Sequence, residues 1–318
     1  MSEKNKNKLG VNSEIKSGTP STGEAAVMKE RNIQNVTTNQ RVMKVLIQFL
    51  LYFFLIVMAI IVIFPFYWMV ISSLKSFDEY YLTIPTFFPT ETLDFKNYSE
   101  AFTTGRLGLM FFNTLYVGVV STVLSLIITV ITAFVFARLE FKGKNILFAA
   151  LLATMMIPGE LFTITNFKTI TDLHWRSTYV VLIVPFLVSV FYIYLLRQNF
   201  MQIPDELYYA AKVDGTSDLK YLWKVMIPLA LPTLISITIL KMMGAWNSYV
   251  WPSLVANDDS HKLITYGLRN AFTPTEGTLY DYPVQMAAVV LVSIPLFLVF
   301  AFLRKYIMKG VSRSGIKG

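Results

Sequence analysis

Two ionisable side chains, Glu160 and Lys241, stand inside long apolar runs that carry no other charge. A charge at the centre of a bilayer costs about 2.5–3.5 kcal/mol on insertion scales, so such a group faces a polar cavity, pairs with an opposite charge, or sits near an interface. The first arrangement would line a path for a polar solute. The second would make Glu160 and Lys241 a structural pair. Near Lys241, Asn247 offers a hydrogen bond to a hydroxyl, and Trp246 and Tyr249 offer aromatic faces of the kind that stack on sugar rings. Trp251 reads rather as packing or as part of an interfacial belt. None of this is catalytic chemistry. Cysteine is absent, which excludes disulfides and thiolate metal sites, and the two histidines, His174 and His261, leave little for a histidine metal site. No G-x-x-x-x-G-K-[ST] loop occurs to cradle the phosphates of ATP.

A second constellation is the polar stretch ELYYAAKVDGTSDLKYLWKVMIPLALP, from Glu206 to Pro232. Pro204 followed by Asp205 and Glu206 is a helix start with acids in its first turn. DELYYAAKV reads as a short helix whose small pair, Ala210 and Ala211, permits close approach of another surface. Asp214-Gly215 is a turn, since glycine accepts backbone angles that other residues resist. TSDLKYLWKVMI reads as a second helical piece capped by Thr216 or Ser217, with Pro228 and Pro232 opening the next apolar run. Taken alone, the stretch is either a solvated amphipathic loop or a docking element.

The elements that must position these residues are membrane spans. The chain has 318 residues, 54% hydrophobic and only 15% charged, where a soluble domain carries about 25% charged residues. Six runs are long enough to cross a bilayer, which takes about 20 apolar residues. They cover 45–74, 107–137, 145–167, 177–196, 225–257 and 282–303, with loop or interfacial residues expected at their ends. The N-terminal tail, the 138–144 and 197–224 loops and the C-terminal tail hold twenty Lys and Arg, against seven in the alternate loops. Basic residues mark the cytoplasmic side, so both termini are expected there. The net charge of +8 is then an orientation signal rather than a nucleic-acid footprint. The first run begins too far in for a usual cleaved signal peptide. The expected organisation is a disordered cytoplasmic tail over 1–43, a transmembrane domain over 44–308 and a short C-terminal tail over 309–318.

With the polar stretch placed on the cytoplasmic side between spans four and five, its spacing resembles the coupling motif of ABC importer permeases. That motif is E-A-A, three residues, G, nine residues, I-x-L-P. Here Tyr209-Ala210-Ala211, three residues, Gly215 and nine more lead to Val225-Met226-Ile227-Pro228. Tyr209 stands where the motif has glutamate, and Glu206 lies one helical turn earlier. FPFYWMVISSLK (64–75), NTLYVG (113–118), WNSYVWPSL (246–254) and the terminal YIMKGVSRSGIKG resemble elements of the carbohydrate-uptake class, the last being similar to the tail of the maltose-type second permease subunit. The resemblance covers roughly residues 45–318. It implies an all-α polytopic membrane protein in a bacterial cytoplasmic membrane, with six transmembrane helices and a cytoplasmic coupling helix within a loop at about 203–227. Glu206, Tyr209, Ala210, Ala211, Asp214 and Gly215 would meet an ATPase, with Ala210, Ala211 and Gly215 packing closely. Ser312, Gly315 and Lys317 would reach the ATPase dimer from the tail. Glu160, Lys241, Trp246, Asn247 and Tyr249 would line the pathway. The implied partners are a second permease, an ATPase dimer and a solute-binding protein, with ATP and Mg held by the ATPase and no cofactor in this chain. The competing reading is a six-span secondary transporter or channel, which would need internal repeats, broken helices in both halves or a chain of intramembrane acids, where the sequence shows one Pro-Gly break and one acid.

Overall fold

The computed structural model describes residues 22–272 and 279–312, and among them there is no strand. Two units are distinguished, residues 1–66 and 67–318. In the first, the described residues 22–66 are helical throughout and belong to α1 (Thr22–Ser72). Its membrane-compatible stretch is Met43–Ser72, 30 residues long, close to the expected first run. The helix begins well before that stretch, so residues 22–43 are helical where a disordered tail was expected. Glu24, Ala25, Ala26, Met28, Lys29 and Glu30 are good helix formers, and no proline or glycine interrupts them. The rest of the expected tail lies outside the described residues.

Within the second unit, α2 (Phe77–Tyr80) and α3 (Lys96–Thr104) shape the segment before the next span. The hub is α4 (Leu107–Arg138), an unbroken apolar helix of 32 residues. Three spans follow as bent pairs, each broken at proline, whose ring excludes the hydrogen bond and the space a straight helix needs. α5 (Lys144–Thr154) and α6 (Thr163–Asp172) bend by 81° around Pro158-Gly159. α7 (Tyr179–Ile183) and α8 (Val190–Phe200) bend by 46° after Pro185. α9 (Asp205–Val213) stands apart as a short helix, and α10 (Asp218–Tyr221) leads through a π turn into α11 (Ile227–Leu229). α12 (Leu231–Trp246) leaves that segment at 80°, between Pro228 and Pro232. The fifth run is thus shorter than its apolar composition indicated: it ends at Trp246, and Trp251 belongs to a separate short helix, α13 (Val250–Val255). α14 (Ile264–Ala271) precedes the last span, α15 (Tyr282–Ser312). Counting each bent pair once gives six crossings, as composition predicted.

α4 packs against α8, α12 and α14. In lipid, close packing and interhelical hydrogen bonds hold helices together, and small residues permit the approach. Gly118 does so on α4: a Cβ there would already touch Met242 at 3.4 Å and Ala245 at 3.6 Å. Polar residues fix the loop before α14. Asn113 donates to the Ser260 and Lys262 carbonyls at 2.8 and 3.1 Å and accepts from the Tyr179 hydroxyl at 2.7 Å, while Thr114 Oγ1 accepts from the Ile264 amide at 2.9 Å.

The segment after α1 is built around a buried carboxylate. Glu79 Oε1 accepts from Thr86 Oγ1, the Thr90 amide and Thr90 Oγ1 at 2.9, 2.8 and 3.0 Å. Burial alone would raise its pKa, but the hydrogen bonds from Thr90 and Thr86 outweigh burial and hold it below the usual carboxylate value. Buried Lys75 donates to the Thr86 carbonyl at 2.5 Å and lies over the Trp68 ring. A carboxyl lowered on folding stabilises above its unfolded pKa, and that contribution is lost as pH falls through the folded value. Glu79→Ala is therefore expected to speed proteolytic cleavage within residues 76–94 several-fold at neutral pH, and acidification should do the same to the wild type. A cleavage rate unchanged by either would show that other contacts hold the segment.

Candidate functional site

Two regions gather the residues that composition and spacing singled out. The first is the α9–α10 segment. Pro204 caps α9, and Asp205 and Glu206 fill its first turn, where their charge complements the helix dipole. The helix ends in a Schellman motif: the Gly215 amide donates to the Lys212 carbonyl at 3.0 Å and the Thr216 amide to the Ala211 carbonyl at 2.9 Å. Gly215 has φ +70°, the left-handed conformation such an ending requires. Nothing else of this chain lies within 4 Å of a Cβ built there, so within the chain the glycine serves the backbone turn. Ser217, one of the two predicted caps, begins α10 by accepting from the Lys220 amide. Asp218 then ties the two helices together, accepting from Tyr208 at 2.8 Å and pairing with Lys212 at 2.7 Å. The Lys212 hydrogen bond holds the Asp218 carboxyl below its ordinary pKa, and the same bond raises that of Lys212.

α9 has two faces. Tyr208 and Ala211 pack against a core of Phe134, Phe200, Tyr221 and Met226. Glu206, Tyr209, Ala210 and Asp214 are exposed, together with the apolar side chains of Val213, Leu219 and Trp223. Of the expected close-packing residues, Ala211 faces the core and Ala210 faces outward. The segment is fastened to the bundle by Arg138, the last residue of α4, whose side chain is only 4% exposed. Its guanidinium donates to Asp205 Oδ1 at 2.5 Å and to the Phe200 and Ile203 carbonyls at 2.8 and 2.5 Å. These are acceptors at the end of α8 and the start of α9, so one side chain joins three elements. Sequence reading counted Arg138 only as an orientation charge. The available signal was a lone arginine ending one span and an acid opening the helix after another.

The second region is a cavity of about 440 Å³ in the bundle, between α4, the α7–α8 break, α12 and α13. Lys241 lines it and donates to the Phe186 carbonyl at 2.5 Å, with the Tyr192 ring 5.9 Å away. The other expected pathway residues are not brought there. Glu160 is exposed at the α5–α6 bend and forms no ion pair with Lys241. Trp246 is buried against Phe111, in the core formed with Leu107, Ile264 and Val284. Asn247 is exposed as the C-cap of α12. Tyr249 accepts from Arg269 at 2.9 Å, outside the cavity wall. Trp251, read as packing, is buried and lines the cavity, its Nε1 donating to the Val181 carbonyl at 3.0 Å. Ser121, Ser189, Tyr192 and Ser248 also line it and were missed. Of the tail residues, Ser312 ends α15, its side chain outside those described, and Gly315 and Lys317 lie outside the described residues. No group of histidine and acidic residues able to hold a metal occurs among the described residues.

Among the described residues after Phe66, apolar helices, three pairs of them bent, surround a mainly apolar cavity that carries Lys241 and several hydroxyl-bearing residues, the build of a multi-pass membrane transport subunit. The family described as binding-protein-dependent transport system inner membrane component matches residues 125–313, and the chain belongs to it. It is accordingly a permease subunit of an ABC importer in a bacterial inner membrane, not itself an enzyme. The chain is 29% identical over 267 residues to the arabinooligosaccharides transport system permease protein AraQ of Bacillus subtilis (strain 168), covering 83% of this chain and 94% of that one. It is 30% identical to the diacetylchitobiose uptake system permease protein NgcG of Streptomyces coelicolor, covering 82% and 86%. Among solved structures it is similar, with TM-score 0.73 and 25% identity over 80% of this chain and 93% of the other, to a chain of a bacterial ABC transporter involved in the import of the acidic polysaccharide alginate.

Proposed function

We propose that this chain forms, with a second and different permease subunit, the translocation path of an ATP-driven importer for a sugar, oligosaccharide or related polar solute. A solute-binding protein delivers the solute on the outside. A separate ATPase dimer, holding ATP and Mg, docks on the inside against the exposed face of α9, and both chain termini lie on that side. The observation that carries this reading is the construction of α9: a helix with one face free, stopped by the Gly215 motif and clamped by Arg138 to the end of α4. Movement imposed on α9 is thereby delivered to a span whose other residues, Val117 and Ser121, wall the cavity. The saccharide class is supported by relatives named for arabinooligosaccharides and diacetylchitobiose and by the alginate importer, and the wider polar-solute class by relatives named for sn-glycerol-3-phosphate. The experiment is purification through a tag on this chain. An ATPase and a second permease are expected to come with it, and ATP hydrolysis should rise when loaded binding protein is added. Purification as a lone chain with ATP-independent uptake would favour the secondary-transporter reading.

The tail residues Ser312, Gly315 and Lys317 are proposed to contact the ATPase dimer. Deleting residues 312–318 is expected to change the ATP hydrolysis rate of the assembled complex at least about twofold. An unchanged rate would leave the basic tail as an orientation signal alone.

A further inference from the structure

The cavity beside Lys241 holds one fixed cation and no matching anion. Its wall carries the hydroxyls of Ser121, Ser189, Tyr192 and Ser248 beside the Trp251 ring. Lysine has three N–H donors, and Lys241 commits one to the Phe186 carbonyl. That carbonyl sits at the α7–α8 break, where helical hydrogen bonding is interrupted. The ion pairs of the described residues all lie elsewhere, and Glu160, the other ionisable group of the apolar runs, is exposed at a different bend. Lys241 is half-buried, and a charged residue in a membrane span without a counter-charge beside it pairs or faces a solute path. The volume of about 440 Å³ falls within the roughly 300–1,000 Å³ of small-molecule sites.

We infer that Lys241 reads an anionic group on the solute, and that the cavity takes a saccharide bearing a carboxylate, of the uronate class. One lysine among neutral hydroxyls balances a monoanion, whereas a phosphate ester, nearly a dianion at neutral pH, would be left half-compensated. The hydroxyls of Ser189, Tyr192 and Ser248 suit the hydroxyls of the sugar, and the aromatic rings suit its apolar face. The inference rests on reading the cavity as part of the solute path, but it is tested by binding, without ATP.

The complex purified through this chain is titrated in detergent with galacturonate, a monoanion, with its carboxyl-reduced neutral counterpart galactose and with inorganic phosphate, following tryptophan fluorescence. The wild type is expected to bind the uronate at least about tenfold more tightly than the neutral sugar or phosphate. Lys241→Arg should keep that preference and Lys241→Gln should lose it. Ser189→Asp, which sets a carboxylate in the same cavity without touching the lysine, should lose it too, and it keeps the test open if Lys241→Gln fails to assemble. Equal wild-type affinity for the charged and neutral sugars would overturn the inference, as it would if an acid of the second permease already neutralised Lys241. Phosphate binding as tightly as the uronate would overturn the saccharide assignment. A Lys241→Gln complex of lower thermal stability but unchanged preference would reduce the lysine to a cap on the Phe186 carbonyl. Failure to co-purify an ATPase would instead sink the coupling reading and leave these titrations interpretable.

Discussion

Arg138→Ala is expected to lower the melting temperature of the purified complex by several degrees and to reduce transport at least about tenfold. The side chain is nearly inaccessible and serves three acceptors at once. Removing it strands the Ile203 carbonyl, at about 1–3 kcal/mol for a buried acceptor left unpaired, and takes one of two donors from the Phe200 carbonyl, which keeps the Ile203 amide at 3.2 Å. The Asp205 bond adds less, because that carboxylate is 68% exposed and solvent screens it. Asp205→Asn should therefore cost about 1 kcal/mol or less, and the two variants should rank clearly in thermal stability. Transport separates a clamp from a mere stabiliser. If Arg138 transmits motion from α9 to α4, its alanine variant should still hydrolyse ATP while moving less solute for each ATP consumed. Stability lost with the uptake-to-hydrolysis ratio unchanged would make Arg138 a structural residue only.

The contrast between Arg138 and the pathway residues shows what a sequence of this kind displays. Spans are visible because each is a long uncharged run, and breaks are visible where Pro158-Gly159 or the Pro228 and Pro232 pair interrupts one. The start of α9 at Asp205 and its stop at Gly215 are equally legible, because capping and left-handed turns demand particular residue types. Rotation of a span about its own axis is not. A helix apolar on every side carries no polar face to reveal which residues look inward, so Trp246 and Tyr249 are linked to Lys241 only by aromatic chemistry, nearness in sequence and the family resemblance. The fifth run also appeared to continue beyond Trp246, because WNSYVWPSL is as apolar as the helix before it. Arg138 was hidden for another reason: its three partners lie 62 to 67 residues away in the chain.

Ala210→Glu is expected to abolish solute-stimulated ATP hydrolysis and uptake, by more than about tenfold, while the melting temperature stays within about a degree of wild type. Ala210 is exposed near the middle of α9, beside exposed Tyr209 and one turn from exposed Val213, so a longer charged side chain meets nothing within the chain itself. An ATPase seated on that face would meet both bulk and an unpaired carboxylate, and desolvating such a charge at an interface is strongly unfavourable. The neighbouring position sets the control. Ala211 packs against the core around Tyr221 and Met226, so Ala211→Glu should destabilise the chain before any partner is involved. Gly215→Ala isolates a third effect: at φ +70° a Cβ costs about 1–2 kcal/mol although the space around it is open. Gly215→Asn should recover part of that loss, because asparagine enters the left-handed region more readily. Thermal stability, ATPase co-purification and uptake are measured for all four variants. If Ala210→Glu retains full ATPase binding and full uptake, the outer face of α9 is not where the ATPase docks, and the exposed Leu219 and Trp223 beyond the Gly215 turn become the surface to test next.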